Sequence, residues 1–431
     1  IAVGMTTNIP PHNLTEVCDA IVRYIEKPSI EIEKIAEIIK GPDFPTGGLI
    51  SGDILEIYKT GRGRVIVRGR VTIEDAKEKL SLVITEIPYM LNKSDLISSI
   101  AKLVQEKKLP DITDIKDESA RGNVRIVIEL KKGADPKFTI NRLYKFTRLQ
   151  DNFDVNLVAL VKGKPQTLDL KKIIENYVRH RKEVVERRCK FDLRKAKERL
   201  EIVLGLLIAL KNLDLTIQTI KKSKNPSEAL ENLVEKLSLT KRQAQAILEM
   251  RLSSLTTLEH DKLRKEEQDL KEKIKDLERI LSSEVEILNV VRKEVLELKR
   301  KYGDERRTQL LQRVREIEEK DIVQKKQVVI SITDKGYIKR TGLKDYKEQK
   351  RGGKGVIGSD LSTGDFVKQL LTCSSHDYLL FFTNKGRVYW LKAYQTPELE
   401  RYGKGKALIN LLNLKDESVQ SVLPISEFKD F

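Results

Sequence analysis

Gln349-Lys350-Arg351-Gly352-Gly353-Lys354-Gly355 places three cations and three glycines within seven residues. Glycine reaches positive φ without steric penalty and has no side chain to hold a ligand away from the backbone. Lysine and arginine neutralise phosphates, and the arginine fork can do so with two parallel hydrogen bonds. The stretch therefore suits contact with a phosphate backbone. In isolation it suits a basic, solvated surface turn equally well, and its surroundings decide between the two.

Those surroundings repeat. Thr333-Asp334-Lys335-Gly336 returns 50 residues on as Thr383-Asn384-Lys385-Gly386, and Gly353-Lys354-Gly355 returns at the same offset as Gly403-Lys404-Gly405. Asp-Lys-Gly and Asn-Lys-Gly between β-rich runs are tight hairpin signals. The runs are Gln327 to Thr333 with Tyr337 to Arg340, then Tyr378 to Thr383 with Arg387 to Leu391. A period near 50 built from short strands predicts propeller blades. Two copies fit before Phe431, fewer than a propeller needs, so the chain is expected to stop inside a longer array.

The first third alternates helix and strand signals. Helices are expected over Leu14 to Glu26, over Ser29 to Lys40 with Gly41-Pro42 as its stop, and over Ser94 to Glu106. Alternating patterns predict strands over Gly63 to Arg70, Lys79 to Glu86 and Asn123 to Glu129. Arg62, Arg64, Arg68 and Arg70 would then form the polar face of an edge strand.

The middle is helical. Leu168 to Lys211 has no proline and is weakened only by Gly205. As one helix it would run roughly 65 Å. Tyr177, Val184 and Phe191 fall seven apart in it. Leu258 to Lys301 returns at similar length, with Leu263, Leu270 and Leu277 interleaved with Ile274 and Leu281 in an a/d seam. An antiparallel coiled coil follows, closed by a helical cap over roughly 212–257, where Thr240 and Gln243 make a capping-box pair. The expected fold is thus α+β and multidomain: an α/β domain over 1–167, the coiled coil over 168–320, and the first two blades of a β-propeller or pinwheel over 321–431.

Composition is compatible with a polyanionic partner. There are 82 Lys and Arg against 65 Asp and Glu, a formal charge of +17. Most of these cations serve solvation, but Lys339, Arg340, Lys344, Lys347, Lys350, Arg351 and Lys354 face only Asp345 and Glu348 in one short stretch. Cys18, Cys189 and Cys373 are scattered and odd in number, which fits a reducing compartment. His12, His180, His260 and His376 are too dispersed for a zinc site. The longest apolar run, Ile202 to Leu210, is too short to span a bilayer, and no membrane partner is expected.

Taken together, these motifs resemble the A subunits of bacterial type IIA topoisomerases, DNA gyrase above all. Gln349 to Gly355 looks like the gyrase A box of the DNA-wrapping domain. Ile1-Ala-Val-Gly-Met-Thr-Thr-Asn-Ile-Pro-Pro-His-Asn-Leu14 looks like the segment after the cleavage domain. Gly41-Pro-Asp-Phe-Pro-Thr46 and Tyr58-Lys-Thr-Gly-Arg-Gly63 resemble the tower domain. Tyr177-Val-Arg-His-Arg181, Ala244-Gln-Ala-Ile-Leu248 and Tyr302-Gly-Asp-Glu-Arg-Arg307 resemble the coiled coil and its exit. The similarity runs in the family's order along essentially all 431 residues.

The resemblance implies an ATP-dependent isomerase that passes one duplex through a transient double-strand break in another, and that supercoils DNA negatively by wrapping it. Its implied partners are double-stranded DNA, a two-fold mate at the exit gate and the gyrase B subunit in an A2B2 assembly, in the bacterial cytoplasm at the nucleoid. Mg²⁺ and ATP would sit on the B subunit, and no cofactor on this chain. The family's tyrosine nucleophile would precede the segment matching Ile1. Arg23-Tyr24 has the wrong neighbours and Arg401-Tyr402 sits in the second blade, so no catalytic residue is expected, nor DNA cleavage by this chain alone.

DNA contact is implied at the box residues Gln349, Lys350, Arg351, Gly352, Gly353, Lys354 and Gly355. It extends to Ile1, matching an isoleucine that wedges between base pairs, and to Lys339, Arg340 and Lys344. Arg62, Arg64, Arg68 and Arg70 would flank the DNA arms. Ala246, Met250 and Leu255 are expected near the self-complementary gate. The alternatives are the A subunit of topoisomerase IV, whose box is reduced or degenerate, and a non-enzymatic dimeric DNA-bending protein. The unbroken box favours gyrase.

Overall fold

The computed structural model describes residues 6–76, 79–120, 122–250, 257–311, 317–343, 364–400, 402–414 and 417–428. In chain order the first elements are α1 (Leu14–Glu26), α2 (Ile32–Ile38), β1 (Leu49–Ser51), α3 (Ile54–Thr60), β2 (Arg62–Arg68), β3 (Arg70–Ala76), β4 (Lys79–Glu86), α4 (Lys93–Gln105), β5 (Ile112–Asp117), β6 (Ile126–Leu130) and α5 (Pro136–Phe146). There follow β7 (Gln150–Asn156), β8 (Val158–Val161), β9 (Lys164–Thr167), α6 (Leu170–Lys211), α7 (Leu213–Lys222), α8 (Pro226–Leu237), α9 (Lys241–Leu248), α10 (Thr257–Ser282), α11 (Glu284–Tyr302), β10 (Gln309–Leu310) and α12 (Glu319–Ile322). The blade strands are β11 (Gln327–Thr333), β12 (Tyr337–Gly342), β13 (Val367–Ser374), β14 (Tyr378–Thr383), β15 (Val388–Lys392), β16 (Lys406–Ala407) and β17 (Val419–Ile425).

Two compact units emerge, one from Ile1–Val67 with Asn152–Arg313, the other from Arg68–Asp151 with Val314–Phe431. They cut across the sequence boundaries at 167 and 320. The cause lies in α1, which packs on α6 and α11 through Cys18, Ile21, Ile174, Val178, Val291 and Val295. The first residues of the α/β region thus share the core of the coiled coil.

In the first unit α6 is one unbroken helix of 42 residues, started by Asp169, whose carboxylate accepts from the Lys172 amide at 2.7 Å. Its buried line is Val178, Val185, Cys189, Ala196 and Val203. The seven-apart set is a different stripe, with Tyr177 and Phe191 exposed. The return arm differs from the single helix expected: it breaks at Ser283, which caps α11 by accepting from the Val285 amide at 3.2 Å. A serine that offers the backbone a local partner ends a helix more readily than it continues one. The seam holds up to that break, with Leu277 buried and Leu263, Leu270, Ile274 and Leu281 half-buried, and beyond it α11 buries Ile287, Val291 and Val295. Arg199 also grips Glu266 across the arms with bonds of 2.7 and 3.0 Å. The cap is α7 to α9, and both halves of the Thr240/Gln243 capping box form. Among the described residues no helix is long and apolar enough to cross a membrane.

The arginine-rich strand also departs from expectation. β2 ends at Arg68 and lies inside the sheet β10-β1-β2-β7, so it is not an edge strand. Gly69 interrupts it, because a Cβ there would stand 2.5 Å from Leu149 Cδ1 and 2.6 Å from the Glu86 carbonyl oxygen. Helix α2 is shorter than Ser29 to Lys40, held between caps at Glu31 and Ile39.

The second unit contains the antiparallel sheet β3-β4-β6-β5. Leu82, Ile84, Ile126 and Ile128 on that sheet pack with Leu96 and Ile100 of α4 and Leu143 of α5. Two blade sheets follow, β13-β11-β12-β16 and β15-β14-β17, and the fold is the mixed, blade-bearing architecture the sequence implied. Val328, Ile330 and Ile332 of the first blade pack with Leu379, Phe381 and Val422 of the second. Their 50-residue equivalents Tyr378, Leu380 and Phe382 share the opposite face of the second blade with Val388, Trp390 and Leu423, where Trp390 is 56% exposed.

Candidate nucleic-acid interface

The two hairpins that announced the repeat are built alike. Gly336 and Gly386 stand at φ 79° and 71°, in the left-handed region glycine tolerates. The Thr333 and Thr383 hydroxyls accept from the amides of Tyr337 and Arg387 at 3.1 and 3.2 Å. Each turn carries an exposed lysine, Lys335 and Lys385.

The connection 343–366 carries the box. β12 ends with Gly342 beside Val328, and β13 begins with Val367 beside Thr333, on the other side of β11. The connection therefore joins opposite ends and opposite sides of the blade's central strand. Gln349 to Gly355 and Lys344 fall in it, outside the described residues, as do Ile1 and Leu255.

Lys339 and Arg340 are described, and both are buried, at 2% and 7% exposure. Pro397 to Leu399, with Gly403, folds back over β12: the Arg340 amide donates to Pro397 O at 2.8 Å and the Leu399 amide to Arg340 O at 3.0 Å. Lys339 Nζ donates to Gly403 O at 3.0 Å, and burial lowers its pKa. Arg340 Nη2 donates to Glu398 at 2.7 Å. Neither side chain presents its charge to solvent. The second Gly-Lys-Gly has a packing role too. Gly405 stands at φ 90° against β12, whose Ile338 pairs with Lys406 in β16, while Lys404 and Lys406 remain exposed.

The four arginines near 62–70 separate. Arg62 and Arg64 are exposed, and Arg64 pairs with Asp154 at 2.8 Å. Arg68 lies 4.8 Å from the Tyr144 ring centroid, with burial lowering its pKa, and Arg70 pairs with Glu86 at 3.1 Å. In the cap, Ala244 and Ile247 face the core with Ala209, Leu233 and Leu239, while Ala246 and Met250, expected near a gate, are half-buried. Tyr24 packs against the core shared by α1 and α6, its pKa raised first by burial and then by Glu175. Tyr402 is exposed.

A buried polar joint ties motifs that sequence reasoning matches without linking. Arg306 grips Glu16 with bonds of 2.9 and 2.7 Å and donates to the Gly41 and Pro42 carbonyls at 2.7 and 2.8 Å. Asp43 accepts from the Arg307 and Thr308 amides at 3.0 and 2.8 Å. Those bonds, with Asn13 and Arg306, hold its pKa down against burial. His12 Nε2 lies 3.0 Å from the Tyr58 hydroxyl. The signal was the pair of turn motifs at 41–46 and 302–307, but their contact is tertiary.

A long helical pair closed by a helical cap, followed in the same chain by two successive β-blades, defines the class of type IIA topoisomerase A-type subunits. Residues 1–296 match the family described as the A subunit of DNA gyrase/topoisomerase IV. Residues 327–374 and 377–426 match the DNA gyrase C-terminal domain, beta-propeller. The chain is 46% identical over 433 residues to the DNA gyrase A subunit of Halalkalibacterium halodurans, covering 100% of this chain and 52% of that protein. It is 46% identical over 435 residues to the Staphylococcus epidermidis counterpart (100% and 49%), and 46% over 434 to that of Clostridium acetobutylicum (100% and 52%). It spans about half the length of the curated relatives it matches. The chain belongs to the family of DNA gyrase/topoisomerase IV A subunits.

Proposed function

We propose that this chain serves in the A subunit of a DNA gyrase, supplying the tower, the exit gate and the start of the DNA-wrapping domain. One observation carries the reading: the unbroken Gln349 to Gly355 box occupies the connection between opposite ends of β11, in the first blade of a chain similar to gyrase A subunits along its whole length. Wrapping has to bend a stiff duplex, at a cost of several kcal/mol over a few helical turns. Cations along the blade offset it by releasing counterions, which makes binding steeply salt-dependent.

In this reading the box holds the duplex backbone and the blade sets its curvature. The wrapped segment is presented to the gate in a positive crossing, so its passage through the break introduces negative supercoils. A B subunit binds ATP and Mg²⁺, an A2B2 assembly forms through the exit gate, and the enzyme acts at the nucleoid in the bacterial cytoplasm. Among the described residues no three His, Cys, Asp or Glu side chains converge as metal ligands.

The test is the full-length A subunit with Lys350, Arg351 and Lys354 replaced by alanine, assembled with its B subunit. Negative supercoiling should be lost while relaxation and cleavage persist. Unchanged supercoiling would remove the box from the mechanism, and strong decatenation alone would move the reading to topoisomerase IV.

A further inference from the structure

The second unit holds a cavity of about 330 Å³ between the loop before α5 and the first blade. Lys131, Lys132, Arg142, Lys326 and Arg340 line it against Asp111, Asp135 and Glu398, so cations outnumber carboxylates by five to three. Two of the carboxylates already have partners, and one of those partners is the cavity's own Arg142. Asp111 accepts from Arg142 Nη1 at 3.2 Å, and Asp135 caps α5 by accepting from the Lys137 amide at 2.9 Å.

Arg340 is the exception in this wall. Its side chain is 9% exposed, yet Nε and Nη1 have no hydrogen-bond partner among the described residues. Three of the five guanidinium N–H bonds are therefore unmet, since Nε carries one hydrogen and Nη1 two. An unsatisfied buried donor is among the costlier features a fold retains. The single acceptor, Glu398 Oε2 on Nη2, belongs to a side chain that is 71% exposed. That carboxylate can leave for water at little cost, whereas Arg340 is fixed by backbone bonds to Pro397 and Leu399 on both its amide and its carbonyl.

We propose that Arg340 anchors a phosphate-binding site in this cavity, with the Glu398 carboxylate standing in for the anion until one arrives. A phosphate oxyanion displaces Glu398, and Arg340 turns within the space vacated to give it two parallel bonds. Lysines 131, 132 and 326 supply the remaining charge at the cavity wall. The phosphate can be a backbone phosphodiester of bound duplex or a free inorganic anion. Only the first source rests on the function proposed above.

The experiment replaces chloride by inorganic phosphate at constant ionic strength and follows the unfolding temperature of the whole chain and the ³¹P linewidth of the phosphate in its presence. Glu398→Gln removes the competitor and should bind phosphate about tenfold more tightly, and Arg340→Gln about tenfold more weakly. Arg340→Lys keeps the charge but not the fork, and should also weaken binding, which separates loss of the site from loss of the fold. Phosphate acting no differently from chloride would leave the cavity to water and overturn the site. So would Arg340→Lys binding phosphate as the wild type does. A labelled short duplex then identifies the source. Phosphate that competes it off the wild type, but not off Arg340→Lys, assigns the site to DNA. Phosphate bound through Arg340 without displacing the duplex assigns it to a free anion. Phosphate binding with no duplex binding at all keeps the site and removes the wrapping function.

Discussion

Gly205 of α6 lies directly against Gln243 of α9: a Cβ built on Gly205 would stand 2.6 Å from the Cβ of Gln243. The cap reaches the arm this closely because residue 205 has no side chain. Gln243 is held there by its capping box and by donation to the Glu201 carbonyl at 2.8 Å. Helix propensity alone gives Gly205→Ala a gain of about 1 kcal/mol. Overpacking gives a loss of about 1–3 kcal/mol. We expect the loss, read as a lower midpoint in thermal or chemical denaturation; a raised midpoint would show that the two helices do not meet as described.

His12 makes stability depend on pH. Burial, helped by the Arg306 guanidinium, lowers its pKa to about 4 against opposition from the Pro10 carbonyl, Glu16 and Asp43. The unfolded imidazole titrates near 6.5. Between those values the unfolded chain takes up the proton and the folded chain refuses it. The contribution is therefore complete above about pH 6.5 and is lost as pH falls toward about 4, amounting to up to about 3 kcal/mol. His12→Gln should flatten that limb of the stability profile in denaturant titrations. An identical slope in wild type and variant would remove His12 as its source.

Gly405 and Gly386 offer a matched comparison within the blades. Both have positive φ, 90° and 71°, but a Cβ at 405 would lie 2.8 Å from the Ile338 carbonyl oxygen, whereas at 386 nothing among the described residues lies within 4 Å. Gly386→Ala should cost only the left-handed penalty, about 1–2 kcal/mol. Gly405→Ala should cost more and release β16 from β12, with faster hydrogen exchange at Ile338 and Ala407. Equal losses at the two sites would contradict the close approach.

Local patterns carried much of this architecture. Gln327–Thr333, Tyr378–Thr383, Leu14–Glu26 and Lys79–Glu86 fall where alternation, helical spacing and turn chemistry put them, because those signals act over a few residues. The seam of Leu263, Leu270 and Leu277 and the capping box at Thr240 were legible for the same reason. The break at Ser283 was not, since apolar residues continue beyond it in Ile287, Val291 and Val295 and mask a single cap.

The candidate site was half visible. The box and its repeat announced a cationic, glycine-rich connection, but nothing near Lys339 and Arg340 said that Pro397 to Leu399 and Gly403 would cover them. The sequence offered both as surface charge, and the structure buries both. The pairing of the 41–46 and 302–307 turns through Asp43 and Arg306 was equally invisible, being a contact across more than 250 positions of chain.

By itself, then, the sequence determined the family, the helical arms, the blade hairpins and the phosphate-suited box, all of which depend on spacing, glycine and charge within a turn or a repeat. Only the tertiary structure decided which cations stay in water, where the return arm breaks, and which face of each blade is covered. Those outcomes turn on desolvation and close packing between segments far apart in the chain, whose free energies no local pattern records.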